Sequence, residues 1–287
     1  MNLTDSIIEL YKRTSIFLPE DVKKEIMKAE KKEKNPLAKN AMNSILENIK
    51  IAEKKKIPLC GDTGLPAFFI SHPKESDQEK LRESILNATA IATKKNCLRP
   101  NAVDSLTGKN SGTGTGKGIP SLYFQQWNSP SIKIDLLLKG GGSENIGRTY
   151  SLPNEELNAE RNLDGVRKCV LDAVVKAQGM GCPPSIISVV VGGSKDAIAI
   201  ESKKLFLEKL SKKNKNPKLA LFEKKLLEEI NSTGIGPIGI GGSSTALALK
   251  TKFLSRHPAT FFVEVAFSCW CDRRTSLEWK NGAAKYE

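Results

Sequence analysis

Gly181-Cys182-Pro183-Pro184-Ser185-Ile186-Ile187-Ser188-Val189-Val190-Val191-Gly192-Gly193-Ser194 is the stretch that decides the fold. The apolar run Ile186 to Val191 reads as a strand, and Gly192-Gly193-Ser194 opens a helix behind it. Before it, Leu163, Val166, Val170, Ala173, Val174 and Ala177 recur at helical spacing, and that helix ends near Gly179. Helix, strand, glycine turn and helix in that order are the elements of α/β construction, with mixed sheets flanked by helices.

Working toward the N-terminus, strands are expected at Ile132 to Leu138, at Ser121 to Phe124 and in the buried run Ala67 to Ile70. A helix bearing Leu81, Ile85, Ala88 and Ala92 lies between the last two. The segment Arg99 to Gly118 is rich in Asn, Ser, Thr and Gly and has no apolar period, so it reads as a long loop, a kind of segment that is usually functional or disordered. Three helices open the chain. The first covers the opening dozen residues. The second is started by Pro19, with Glu20 and Asp21 in its first turn. The third is started by Pro36, with Leu37, Ala41, Ile45, Ile49 and Ala52 on one face and Lys54-Lys55-Lys56 at its end. Toward the C-terminus come a helix around Leu219 to Ile230 and extended runs at Thr245 to Leu254 and Thr260 to Phe267. There is no internal repeat and no clear linker. The chain reads as one domain over 1–287, with N-terminal helices over about 1–56 and an α/β body over about 57–287.

With 287 residues, of which 39% are hydrophobic, the chain can bury a substantial core. No stretch reads as a signal peptide or membrane span, so a cytoplasmic protein is expected. The net charge of +13 lies largely in lysine-rich helix ends and loops with few interleaved aromatics. That is the pattern of a solvated surface, and nucleic acid is not the expected partner. Six cysteines without a secretory signal are not expected to form disulfides. Cys97 and Cys169 sit in helical contexts and read as small buried hydrophobes. Cys60, Cys182, Cys269 and Cys271 instead lie among Gly, Pro, Asp and Arg, where turn backbone can present thiolates to a metal or cluster. Spacing alone leaves open whether these are ligands or structural turn cysteines.

The words around them are more specific. PLCGDTG (58–64), LRPNAVDSLTGKN (98–110), KGGGSEN (139–145), GCPP (181–184), GIGPIGIGG (234–242), SRHPAT (255–260) and CWCDRR (269–274) occur in that order. Together, over about residues 40 to 279, they resemble the α chain of class I iron–sulfur fumarases and L(+)-tartrate dehydratases. The resemblance implies an iron–sulfur hydro-lyase α-subunit fold and a 4Fe-4S cluster held by Cys60, Cys182 and Cys269. One iron is then left open to act as a Lewis acid. It further implies an acid/base role for Asp62, proton handling by His257 and substrate-carboxylate binding by Arg99. Gly140, Gly141 and Gly142 would present bare backbone N–H groups to the anion.

From the residues alone, Asp62 reads first as an Asx turn to Gly64, His257 equally as a hydrogen-bonded structural residue, and the glycines as no more than a tight turn. His72 reads as an ordinary loop residue. The sequence departs from the family words at Gly61, where Gln or Pro is common, and at Cys271, where Ala is usual and a buried small residue is expected.

The expected reaction is the reversible hydration of fumarate to L-malate, a step of the tricarboxylic acid cycle. L(+)-Tartrate dehydration is the alternative, and a mesaconate-type substrate a third. The resemblance also implies a separate β subunit that completes the site, in an α2β2 assembly acting on a small dicarboxylate. From another class, a cluster-bearing nucleic-acid-binding regulator would show steeply salt-sensitive RNA binding and no lyase activity.

Overall fold

The computed structural model describes residues 2–287, so Met1, the first residue of the opening helix as read above, lies outside the description. In chain order the elements are α1 (Leu3–Ile16), α2 (Glu20–Lys32), α3 (Pro36–Lys55), β1 (Leu65–His72), α4 (Gln78–Lys94), β2 (Ser121–Gln126) and β3 (Ile132–Lys139). There follow α5 (Gly141–Asn145), β4 (Arg148–Ser151), α6 (Leu163–Ala177), β5 (Ser185–Val191), α7 (Lys195–Leu205) and α8 (Pro217–Ser232). A 3-10 turn at Pro237–Gly239 then leads to β6 (Ala246–Phe253), β7 (Phe262–Ser268), β8 (Arg273–Lys280) and β9 (Ala283–Tyr286). No helix among the described residues is long and apolar enough to cross a membrane.

The chain divides into two compact units. One takes in the residues up to Pro19, Asn48–Gly141 and Arg273–Glu287; the other takes in Glu20–Glu47 and Gly142–Asp272. The first unit is built on a five-stranded sheet in the order β2-β1-β3-β8-β9. Only β1 and β2 run parallel there; β1/β3, β3/β8 and β8/β9 are antiparallel. Helix α1 starts on an Asn2 cap, whose side chain accepts from Asp5 N at 2.8 Å, and α4 starts on an Asp77 cap. Both helices bury an apolar stripe. Ile7, Leu10 and Tyr11 of α1 and Ile85 and Ala88 of α4 pack in one core with Phe68, Ile134, Leu136 and Leu277 of the sheet.

The second unit holds a four-stranded sheet in the order β4-β7-β5-β6, with β5 and β6 parallel and β7 antiparallel to both β4 and β5. All seven residues of β5 are buried, which is why its apolar residues fall on both faces rather than alternating, with Ser185 and Ser188 as the buried polar exceptions. Val166, Val170 and Ala173 of α6 and Leu226 and Ile230 of α8 share a core with Ile187, Val189, Val263 and Val265.

The elements inferred from periodicity are present, with three differences. The buried residues of α3 are Ala38, Met42, Ile45, Ile49 and Ala52, while Leu37 is 64% exposed. Counting the apolar face from Leu37 therefore put the start of the stripe one residue early. His72 is no loop residue: it closes β1 and is 1% exposed, with Nδ1 on the carbonyl of Pro73 and Nε2 against Gln78. Strands β4, β8 and β9 went unread, because their short or charged sequences carry no apolar alternation strong enough to mark them.

Candidate active site

In the first unit the chain leaves α3, turns through Pro58 to Gly64 and enters β1. The turn is tied down by its own polar atoms. Asp62 Oδ1 accepts from Gly64 N at 2.8 Å, the Asx turn expected of it, and Oδ2 accepts from Gly141 N at 2.8 Å. The carbonyl of Asp62 accepts from Arg273 Nη1 at 2.7 Å. Gly64 has φ +83°, and a Cβ there would lie 2.8 Å from the carbonyl carbon of Leu138, so only glycine lets the turn rest on the end of β3. Thus Gly141 is brought to the aspartate across 79 residues.

Arg99 is brought to the same turn through its backbone: its N–H donates to Thr63 Oγ1 at 2.8 Å, and Asn101 Nδ2 donates to the carbonyl of Gly64 at 3.3 Å. Arg99 as a whole is exposed. Cys60, Gly61, Thr63 and Arg99 line a cavity of about 480 Å³, within the range of small-molecule sites. An added Cβ at Gly61 would meet nothing within 4 Å, so there is open space where a larger side chain would project.

In the second unit Cys182 is exposed and sits at φ +53°, an uncommon conformation for a residue with a Cβ. Its loop is braced from two sides. The carbonyl of Cys182 accepts from Trp270 N at 3.3 Å, one residue beyond Cys269, and the carbonyl of Pro183 accepts from Ile238 N at 2.8 Å. Gly179 and Gly239 approach so closely that a Cβ on either would fall within 2.7 Å of the other strand of backbone. The GIGPIGIGG loop therefore holds the GCPP turn, and Ile238, a β-branched residue at φ +47°, is the strained point of that contact.

Glu33 anchors the far end of the same loop. Its carboxylate accepts from the N–H groups of Lys34, Asn35 and Ser243 and from the Ser243 hydroxyl. Burial pushes the Glu33 carboxyl up, but the bonds from Asn35, Ser243 and Lys34 outweigh it and hold it below the usual glutamate value.

His257 is exposed, and its Nδ1 accepts from Ala259 N at 3.1 Å, which leaves Nε2 to carry the proton of the neutral ring. The loop around it is clamped by two arginines. Arg256 donates to the carbonyls of His257, Pro258 and Thr260, and Arg161 donates to those of Leu152, Pro258 and Ala259. Gly142 belongs to this unit and lines a second cavity of about 210 Å³ with Arg148 and Lys176. Glu33, Arg161, Arg256 and Arg273 were not singled out from the sequence. Nothing in a lone charged residue distinguishes a clamp on a remote carbonyl from a solvated side chain.

Among the described residues no two cysteines are joined in a disulfide; Cys60 and Cys182 are exposed, Cys269 is half-buried and Cys271 is buried, the last as expected. Burial pushes the Cys169 thiol up to about 12, with the Asp172 charge adding to it, which suits an inert core residue. Cys97 is half-buried rather than part of the core. Among the described residues no three His, Cys, Asp or Glu side chains gather as ligands of a single metal ion. Cluster ligands need not gather in that way, since each thiolate takes its own iron. Three accessible or half-buried thiols on Gly- or Trp-flanked turns are chemically a fitting donor set for iron–sulfur, and the zinc spacing of paired cysteines is missing from the sequence.

The chain is similar to three relatives along nearly its whole length. A protein of Geobacillus stearothermophilus provisionally named fumarate hydratase class I is 43% identical over 280 residues, 96% of this chain and 54% of that one. This chain thus spans about half the length of that relative. A protein of Methanocaldococcus jannaschii provisionally named L(+)-tartrate dehydratase subunit alpha is 36% identical over 279 residues, 96% of both chains. The L(+)-tartrate dehydratase subunit alpha of Escherichia coli is 30% identical over 280 residues, 96% of this chain and 90% of that one. Residues 4–278 match the family described as fumarate hydratase (Fumerase), and with that span and these identities the chain belongs to the class I fumarate hydratase family.

Proposed function

We propose that this chain is the α subunit of an iron–sulfur hydro-lyase that adds water reversibly to fumarate to give L-malate. Asp62 carries the reading. Its carboxylate is fixed by two backbone N–H groups, on the turn that bears Cys60 and beside the Arg99 cavity. Each Asp62 oxygen accepts one bond, so lone pairs remain on both for a substrate proton, and the fixed geometry keeps them in place. Arg99, with a free planar fork, would grip a substrate carboxylate bidentately. The Gly141 N–H is engaged in fixing Asp62, so Gly140 and Gly142 would supply backbone N–H groups to the anion, and His257 would relay protons through Nε2.

Cys60, Cys182 and Cys269 would hold a 4Fe-4S cluster with one iron free of protein ligands. When bound, that iron supplies Lewis-acid binding of the substrate hydroxyl and carboxylate. The relatives named as alpha subunits support a β subunit as partner. That subunit would complete the site, and an α2β2 assembly in the cytoplasm is part of the proposal.

The test is anaerobic co-expression with a candidate β chain, following fumarate absorbance with tartrate dehydration in parallel. Fumarate turnover abolished by Asp62→Asn is the expected result. No turnover of either substrate by a cluster-loaded complex would refute both the fumarase and the tartrate dehydratase readings. Tartrate turnover alone would favour the second reading, L(+)-tartrate dehydratase, which the two relatives so named support. For the cofactor, Cys60→Ser, Cys182→Ser and Cys269→Ser should each lower iron and sulfide content after reconstitution, and three unchanged variants would refute the ligand set.

A further inference from the structure

Arg273 is the largest fully buried side chain among the described residues, with 1% of its surface exposed. It begins β8, opposite Leu138 of β3, and so lies beside the strand end on which the Asp62 turn rests. A guanidinium has five N–H donors and a permanent charge. Here Nη1 donates to the carbonyl of Asp62 at 2.7 Å, Nε is buried without a hydrogen-bond partner, and no carboxylate among the described residues forms an ion pair with it. Burying a cation that way is strongly unfavourable unless an anion or further acceptors complete it. A purely structural peg would be better made from an apolar side chain of the same length.

We propose that Arg273 is a positioning residue for the Cys60–Asp62 turn whose charge is balanced only when the site holds its anionic contents. It fixes the Asp62 carbonyl, and through that turn both the carboxylate of Asp62 and the thiol two residues before it. The proposal rests on the iron–sulfur reading above. A 4Fe-4S core with three thiolates carries net negative charge, and a buried guanidinium nearby is the residue type that would be left unsatisfied without it.

Binding that compensates a buried charge appears as extra stabilisation of the loaded protein over the empty one. The experiment measures melting midpoints of the full chain, empty and after anaerobic iron–sulfide loading, for the wild type, Arg273→Met, Arg273→Lys and Arg273→Gln. Iron and sulfide retention and the low-temperature electron paramagnetic resonance spectrum of the loaded forms are followed alongside. Expected is an empty Arg273→Met at least as stable as the empty wild type, a smaller rise on loading, and a changed spectrum. Arg273→Lys should recover the rise and Arg273→Gln should not. If Arg273→Met fails to fold, the Lys and Gln variants decide between charge and hydrogen bond. An Arg273→Gln protein that loads, melts and gives spectra like the wild type would overturn the proposal. So would an Arg273→Met protein that is destabilised equally in both states with an unchanged spectrum. A wild type that takes up no cluster would sink the iron–sulfur reading and this proposal together.

Discussion

Gly61 and Gly64 stand three residues apart in the candidate catalytic turn, yet alanine should act oppositely at the two. At Gly64 the backbone has φ +83°, which costs a residue with a Cβ about 1–2 kcal/mol. The new Cβ would also lie 2.8 Å from the carbonyl carbon of Leu138 and 2.9 Å from two atoms of Lys139. Those are backbone atoms of a strand paired on both sides, so they cannot swing away, and overpacking of this kind adds roughly 1–3 kcal/mol. The sum is a destabilisation of about 2–5 kcal/mol. At Gly61 an added Cβ meets nothing within 4 Å and the φ is unexceptional, so only the unfolded chain is affected. Gly61→Ala should stabilise by about 0.4–1 kcal/mol. The assay is urea unfolding of the two variants beside the wild type, followed by tryptophan fluorescence, since Trp127 and Trp279 both lie in this unit. Gly64→Ala should also lose turnover where it is still folded, because the Asp62 turn must shift. Unfolding free energies for the two variants that agree within about 0.5 kcal/mol would refute the reasoning.

Three further outcomes follow from buried groups. Burial raises the Glu264 carboxyl, the Thr149 hydroxyl bond offsetting it in part and the Glu144 charge adding to it. The folded chain therefore holds this proton more tightly than the unfolded one, and the residue costs stability as pH rises from the ordinary glutamate value through the raised one. Glu264→Gln should then stabilise at neutral pH and give no gain near pH 3, and urea midpoints that show the opposite trend would contradict this. In the empty chain, mild alkylation should label Cys60 and Cys182 first and leave Cys169 and Cys271 unmodified, as read by peptide mass mapping. Tyr11→Phe removes a buried bond of 2.7 Å to Thr89 Oγ1, while the Thr89 hydroxyl keeps its own bond to the carbonyl of Ile85. A loss of about 1 kcal/mol is expected, and thermal unfolding showing a loss above about 3 kcal/mol would point to disrupted packing instead.

What could be read from the chain alone was whatever local chemistry encodes. The apolar periods of α4 and α6, the mostly apolar run of β5, the Pro start of α3 and the order of the Gly- and Cys-bearing words all lie within short windows. Tertiary structure decided the rest. Leu37 and Ala38 are both apolar, and only the packing partners of α3 chose Ala38 for burial. β8 opens with Arg273 and Arg274, residues that composition places at the surface, and both are buried because neighbouring strands and remote acceptors surround them. The Asp62 carboxylate meets Gly141 N across 79 residues, and its carbonyl meets Arg273 across 211. A residue type states what bonds a side chain can make. Which partner stands within 3 Å is set by strand order and register, and no local window contains either.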